Sequence, residues 1–157
     1  MSSVRDRLAA ANFVIPDFQP IDAALGFARF RRDGDLVYLS GHLSDLPGMP
    51  AIRGLLGAQV SLDLGYLCAQ RCALNLLASL EVAAGSLDDD VEIIKVLGFV
   101  AATADFKDHP GVINGASDVF LTGFGPEAGK HARSAIGVSS LPLGACVEVE
   151  AIAKVGQ

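Results

Sequence analysis

The chain has 157 residues, of which 51% are hydrophobic and 19% are charged, and its net charge is −6 at pH 7. This length and apolar content predict one globular domain over 1–157 and exclude a disordered or linker-like segment. The acidic charge disfavours nucleic acid as a partner, because phosphate backbones are bound by basic surfaces.

Local sequence signals divide the chain into eight predicted elements. Ser3 and Asp6 have the capping-box spacing that opens a helix. An Asp-Gly-Asp turn between two β-prone segments predicts a hairpin, and Gly85 ends a long segment of helical periodicity. In chain order the elements are a helix over 4–11, strands over 27–32 and 36–41, a helix over 61–84, a strand over 91–103, a helix over 111–124, and strands over 133–138 and 146–155.

The order of these elements predicts an α+β fold with a mixed sheet and two helices packed on one of its faces. The strand over 91–103 is rich in β-branched residues, and we place it centrally in the sheet with both faces covered. In the last strand Glu148 and Glu150 alternate with apolar residues, so one face is charged and the other apolar. The glycine-containing segment 123–129 lacks the spacing of a dinucleotide loop and is expected to be a connection.

Arg133 and the two glutamates of the last strand are the first candidates for chemistry. An arginine fork binds a carboxylate through two parallel hydrogen bonds. A carboxyl group beside apolar residues has its pKa moved toward neutrality, which suits a general acid or base. Taken alone, however, Arg133 is more typical of a surface arginine or an inter-subunit ion pair, and the two glutamates are more typical of a solvated strand face.

The histidines and cysteines do not indicate a metal or redox site. His42, His109 and His131 are scattered, without the spacing that places two ligands on one helical face. His42 is expected to be a hydrogen-bonded structural residue. The three cysteines match no zinc or disulfide pattern, and Cys68 and Cys72 are expected to fill the core.

We expect a cytoplasmic protein that associates with copies of itself. Charges from Arg5 onward exclude a secretory signal, and no apolar run has the length of a membrane span. An odd number of unpatterned cysteines fits a reducing compartment. The abundance of small apolar residues favours a subunit with part of its surface buried in an oligomer.

Three short motifs near the C-terminus follow one another in a fixed order: Arg133-Ser134, Leu141-Pro142 and the strand 147–153. With the fifteen-residue step from Arg133 to Glu148, they resemble the signature of the RidA/YjgF family of reactive-intermediate deaminases, formerly named endoribonuclease L-PSP. The hairpin that ends in Ser-Gly and the helix with its asparagine resemble further parts of the family. The longer N-terminus and loops are typical of a longer-chain branch.

This resemblance implies a chorismate-mutase-like fold that forms a homotrimer with a cleft between each two subunits. The implied reaction is the hydrolytic deamination of small enamines and imines, such as 2-iminobutanoate and 2-iminopropanoate, to 2-keto acids and ammonia. It implies a small carboxylate-bearing substrate and requires no metal or organic cofactor.

The family's site residues fall on specific positions of this chain. Its catalytic glutamate falls on Glu148, which would orient water and transfer its proton. Its arginine falls on Arg133, which would hold the substrate carboxylate. The other implied substrate-binding residues are Gly41 and Ala135 through backbone groups, Ser40 and Asn114 as supports of the cleft, and Phe27 in place of a tyrosine of well-studied members.

Two other functions remain open at this stage. A trimer that binds a small carboxylate metabolite without converting it is suggested by Phe27, which cannot donate a hydrogen bond. An endoribonuclease is less favoured, because the chain is acidic and has no histidine pair arranged for phosphodiester cleavage.

Overall fold

The computed structural model describes residues 2–156, and the predicted elements are found there with small shifts of their bounds. The helices are α1 (Val4–Ala10), α2 (Leu62–Ala84) and α3 (His109–Ala128), and the strands are β1 (Phe30–Asp33), β2 (Leu36–Leu43), β3 (Glu92–Ala101), β4 (Ala132–Val138) and β5 (Val147–Lys154). A 3-10 turn over Pro142–Gly144 precedes β5. None of the helices described here is long and apolar enough to cross a membrane.

The five strands form one mixed sheet in the order β1-β2-β5-β3-β4. Only β3 and β4 pair in parallel, and the other neighbours are antiparallel. Helices α2 and α3 pack on one face of the sheet, as predicted, and α1 packs on α3. The α+β fold class is therefore confirmed.

The start of α1 and the end of α2 lie where the sequence predicted them. The Ser3 side chain accepts from the Asp6 N–H and the Asp6 side chain accepts from the Ser3 N–H, which completes the capping box of α1. Helix α2 ends at Gly85, which has the left-handed conformation with φ of 83°. Val4 and Leu8 are buried, so α1 is anchored to the core by two side chains.

The segment predicted as a connection, 123–129, contains a break near the end of α3. Gly125 has a φ of 80° and a ψ of −178°, which are not helical, so the regular helix stops there and Pro126 begins a last short turn that ends at Ala128. A residue with a β-carbon is strained at this φ, and proline has no N–H for the preceding turn, so the two residues together interrupt the helix. The predicted connection is therefore present at Gly125 but shorter than 123–129, because helical turns lie on both sides of it.

The core lies between the helices and one face of the sheet. It includes all three cysteines, which are free and buried, as expected of core-filling residues. Strand β3 is an interior strand, as predicted, and the helices cover one of its faces. On the other face Leu97 and Phe99 are partly exposed in a single chain.

We call the sheet face opposite α2 and α3 the open face. Glu148, Glu150 and Ile152 of β5 lie on it and are half-buried. Tyr38 and Ile136, from β2 and β4, are each 44% exposed. The open face therefore combines apolar side chains with two carboxylates.

Candidate active site

Arg133 lies at the start of β4, which is an edge strand of the sheet. It pairs with Val96, which pairs with Ala151, and these two buried residues face the helices. Residues directly opposite one another in a sheet share a face, so the Arg133 side chain also points to the helix side. There it reaches α3.

One end of the Arg133 guanidinium is fixed and the other is free. Nη1 donates to Asn114 Oδ1 at 2.9 Å and to Ser117 Oγ at 3.1 Å. Within residues 2–156, Nε and Nη2 make no hydrogen bond and the guanidinium forms no ion pair. The half-buried cation therefore presents an unused two-donor edge, the geometry that binds a carboxylate.

The backbone of Ala135 continues this donor surface. The Ala102 N–H donates to the Val138 carbonyl at 3.1 Å, so the backbone groups of Val138 point toward β3. Backbone groups alternate between the two sides of a strand, so those of Ala135, three residues earlier, point to the outer edge of the sheet. We call Arg133, Asn114, Ser117 and Ala135 the edge half-site.

Glu148 lies on the open face, at a bulge of strand β2. The register between β2 and β5 shifts between Leu39 and His42, and Glu148 pairs with Leu43 beyond the shift. The Glu148 carboxylate occupies the space where a β-carbon of Gly41 would lie. We call Ser40, Gly41 and Glu148 the bulge half-site.

The surroundings of Glu148 favour its protonated form. Burial raises the pKa of its carboxyl group above the usual range, and the nearby charge of Glu150 raises it further. Its side chain makes no hydrogen bond with any residue that the structure describes. A half-buried carboxyl group with a raised pKa is a stronger base when ionised than an ordinary carboxylate, which suits it to accept a proton and return it.

Ser40 connects the bulge half-site to the segment that carries Phe27. Its hydroxyl donates to the Ala28 carbonyl at 2.6 Å, and its N–H donates to the Arg29 carbonyl at 2.9 Å. Phe27 itself is 61% exposed. In a single chain its ring therefore lines no enclosed cleft.

The two half-sites are on opposite faces of the sheet. Glu148 and Ala151 are three residues apart on β5, and side chains alternate along a strand, so they point to opposite sides. Arg133 shares the face of Ala151, and β3 separates β4 from β5. One subunit alone does not bring Arg133 and Glu148 to a common ligand.

His42 is a structural histidine, as expected. It is 3% exposed, with Nε2 2.7 Å from Ser79 Oγ and Nδ1 2.6 Å from the Ser40 carbonyl. Burial lowers its pKa to about 4, so the ring is neutral at pH 7. Within residues 2–156, no three side chains of the metal-ligating types come together as a candidate metal site.

Two residues at this site were not predicted from the sequence: Ser117, which belongs to the edge half-site, and His131, which contacts Ser117. Ser117 lies one helical turn after Asn114, and this i, i+3 spacing places both side chains on one face of α3. His131 precedes Arg133 by two residues, and its Nε2 is 2.9 Å from Ser117 Oγ. Both spacings are present in the sequence, but they do not predict a contact with Arg133 unless α3 is known to pack beside β4.

Comparison with known proteins identifies the family. A family model described as "YjgF/chorismate mutase-like, putative endoribonuclease" matches residues 5–155. The chain belongs to the RidA/YjgF family. Its fold is accordingly the YjgF/chorismate-mutase-like fold, as the motifs around Arg133 and Glu148 predicted.

This RidA/YjgF chain is similar to one protein from a trypanosome and to two bacterial proteins of known structure. It is 37% identical over 131 residues to Protein TCP17 of Trypanosoma cruzi, covering 82% of this chain and 81% of that one. The crystal structure of Atu1372, a protein of unknown function from Agrobacterium tumefaciens, has a TM-score of 0.88 at 36% identity, covering 98% and 94%. RidA from the Antarctic bacterium Psychrobacter sp. PAMC 21119 has a TM-score of 0.56 at 27% identity, covering 85% and 92%.

Proposed function

We propose that this protein hydrolyses small enamine and imine intermediates, of the 2-imino acid class, to 2-keto acids and ammonia. The observation that carries the proposal is the Arg133 guanidinium, which is anchored through Nη1 and makes no hydrogen bond through Nε and Nη2 in residues 2–156. Two adjacent free donors with no acidic partner match the carboxylate of a 2-imino acid. The outward backbone of Ala135 extends the same surface.

The complete site is proposed to form between subunits of a homotrimer. The edge half-site and the bulge half-site face opposite sides of the sheet, so a cleft containing both takes Arg133 from one subunit and Glu148 from the next. The exposed apolar side chains Tyr38 and Ile136 on the open face support burial against another copy.

In the proposed reaction the two charged side chains have separate roles. Nε and Nη2 of Arg133 bind the substrate carboxylate and thereby fix the adjacent imine carbon. Glu148 takes a proton from water as the water oxygen bonds to that carbon, and the proton is transferred to the nitrogen. Glu148 then takes the hydroxyl proton of the carbinolamine and transfers it to the amino nitrogen, so that the C=O bond forms as the C–N bond breaks and ammonia leaves. Positioning and proton transfer are both recognised sources of rate acceleration.

A trapping assay tests the proposal. An amino-acid oxidase generates 2-iminopropanoate in the presence of semicarbazide, and a deaminase lowers the rate of semicarbazone formation by removing the imine first. The wild-type protein is expected to slow trapping, whereas Arg133→Ala and Glu148→Gln are expected not to. If the wild type has no effect on small or large imino acids, the hydrolytic function is wrong.

A trimer that only binds a small carboxylate is the second candidate, and the side chain of Phe27 favours it. Phe27 is exposed and has no hydroxyl group to contact a reacting atom. This function predicts that pyruvate raises the melting temperature while imine hydrolysis is unaccelerated. Endoribonuclease activity receives no comparable support, since the net charge of −6 repels a phosphate backbone.

A further inference from the structure

A chain of hydrogen bonds continues from Arg133 to the backbone through two side chains that the proposed reaction does not use. Arg133 Nη1 donates to Ser117 Oγ at 3.1 Å. Ser117 Oγ is 2.9 Å from His131 Nε2, and His131 Nδ1 is 2.8 Å from the Gly129 carbonyl. These three hydrogen bonds thus connect the Arg133 guanidinium to the turn between α3 and β4.

Donor and acceptor chemistry fixes the direction of each bond in this chain. The Gly129 carbonyl only accepts, so Nδ1 of His131 carries a hydrogen. In a neutral ring Nε2 then accepts, and the Ser117 hydroxyl must donate to it. The Ser117 oxygen is left as an acceptor for Arg133, which can only donate. Of the two neutral tautomers of His131, only the Nδ1–H form satisfies all three bonds.

The surroundings of His131 favour that neutral form and hold the ring in place. Burial lowers the pKa of His131, and the charge of Arg133 lowers it further. The ring packs edge-on against Phe120, with centroids 5.7 Å apart and an interplanar angle of 87°. A fixed, neutral imidazole is therefore available as the acceptor at neutral pH.

We propose that Ser117 and His131 are positioning residues that select which edge of Arg133 meets the ligand. Nη1 has two hydrogens and makes two hydrogen bonds, to Asn114 and to Ser117. Ligand contact is then restricted to Nε and Nη2, the side-on edge of the fork. Without Ser117 a single hydrogen bond holds Nη1, and the guanidinium gains freedom to turn. The identity of the ligand in this inference rests on the proposed function.

Two pairs of matched variants test the inference. Ser117→Ala removes the hydroxyl, and Ser117→Thr restores it. His131→Asn keeps a donor near the position of Nδ1 for Gly129 but has no group at the position of Nε2, whereas His131→Gln places an amide there. Both histidine variants lose the ring contact with Phe120. His131→Asn can keep only the bond to Gly129 and His131→Gln only the bond to Ser117, so the pair shows which of the two bonds matters.

The first readout is the dissociation constant for pyruvate, measured by calorimetry. Arg133→Ala is the reference variant, because it removes the guanidinium that is proposed to bind the carboxylate. Ser117→Ala and His131→Asn are expected to raise it by about tenfold, the usual scale for one hydrogen bond to a charged group. Ser117→Thr and His131→Gln are expected to stay within about threefold of the wild type. Wild-type affinity in Ser117→Ala and His131→Asn, with binding lost in Arg133→Ala, overturns the inference.

A second readout separates this inference from the proposed function. If the wild type neither binds pyruvate nor hydrolyses imines, the proposed function fails, and ¹⁵N NMR of the free protein then decides the positioning role. A shifted and broadened Arg133 Nε–H signal in Ser117→Ala, restored by Ser117→Thr, supports it. An Arg133 signal unchanged by Ser117→Ala, or a His131 ring protonated at Nε2 in the wild type, overturns it.

Discussion

Replacing Gly41 with alanine is expected to abolish most of the activity without unfolding the protein. A β-carbon added at Gly41 would overlap the Glu148 carboxylate, which is the flexible end of a side chain and can move away. The expected loss of unfolding free energy is therefore below about 2 kcal/mol, the scale of a shifted rotamer and a small surface change. The displaced carboxylate, however, no longer faces the water it is proposed to activate.

The size of the activity loss follows from the role of Glu148. A positioned general acid or base contributes roughly 100-fold to 10,000-fold in rate. Displacing it by more than an ångström should remove at least about 100-fold, which is about 2.7 kcal/mol in the activation barrier. The assay is imine hydrolysis by semicarbazide competition, with urea unfolding of the same samples to measure stability.

Two controls make this prediction specific to Glu148. Gly26→Ala is the matched variant, because a β-carbon at Gly26 meets no atom within 4 Å. The double variant Gly41→Ala with Glu148→Gln should be no less active than Glu148→Gln alone, since both changes remove the same function. Full activity in Gly41→Ala, or additive losses in the double variant, would show that a β-carbon at residue 41 does not act by displacing Glu148.

Three further predictions concern charge and assembly. Because burial raises the pKa of Glu148, ionisation there opposes folding as pH rises, so Glu148→Gln should be more stable than the wild type at pH 7 and equal to it below about pH 4 by urea unfolding. The pKa of His42 is lowered to about 4. Stability should therefore fall by roughly 3 kcal/mol as pH decreases from about 6.5 to about 4, and His42→Gln should reduce this dependence. Tyr38→Asp combined with Ile136→Asp should give monomers in analytical ultracentrifugation, because both side chains lie on the open face.

Each of these expectations has an outcome that contradicts it. If the unfolding free energy of Glu148→Gln has the same pH dependence as that of the wild type, ionisation of Glu148 does not destabilise the fold. If His42→Gln leaves the pH dependence of the unfolding free energy unchanged, His42 is not its source. Oligomers that survive both aspartate substitutions would exclude the open face as the interface.

Local and alternating patterns in the sequence predicted most of the fold. The period-two pattern around Glu148 placed its side chain on the face opposite the core, and the capping box at Ser3 located α1. The break at Gly125 falls within the predicted connection, but the short helical turn after Pro126 was not predicted, because a glycine-proline pair is typical of loops. The second face of β3 is partly exposed in a single chain, and its apolar side chains can equally face another subunit.

The relation between Arg133 and Glu148 could not be predicted from local patterns. Their spacing of fifteen residues contains no information on which strand separates them. That depends on β3 lying between β4 and β5, a long-range pairing fixed only by the whole sheet. The roles of Ser117 and His131 likewise depend on how α3 packs against β4.

The most direct test of the account is to mix two inactive variants, Arg133→Ala and Glu148→Ala, by co-expression and to measure imine hydrolysis. If each cleft takes Arg133 from one subunit and Glu148 from its neighbour, random mixing in equal amounts restores both residues in about a quarter of the clefts. Roughly a quarter of wild-type activity is therefore expected in the mixture. Activity no greater than that of the separate variants would contradict a site shared between subunits.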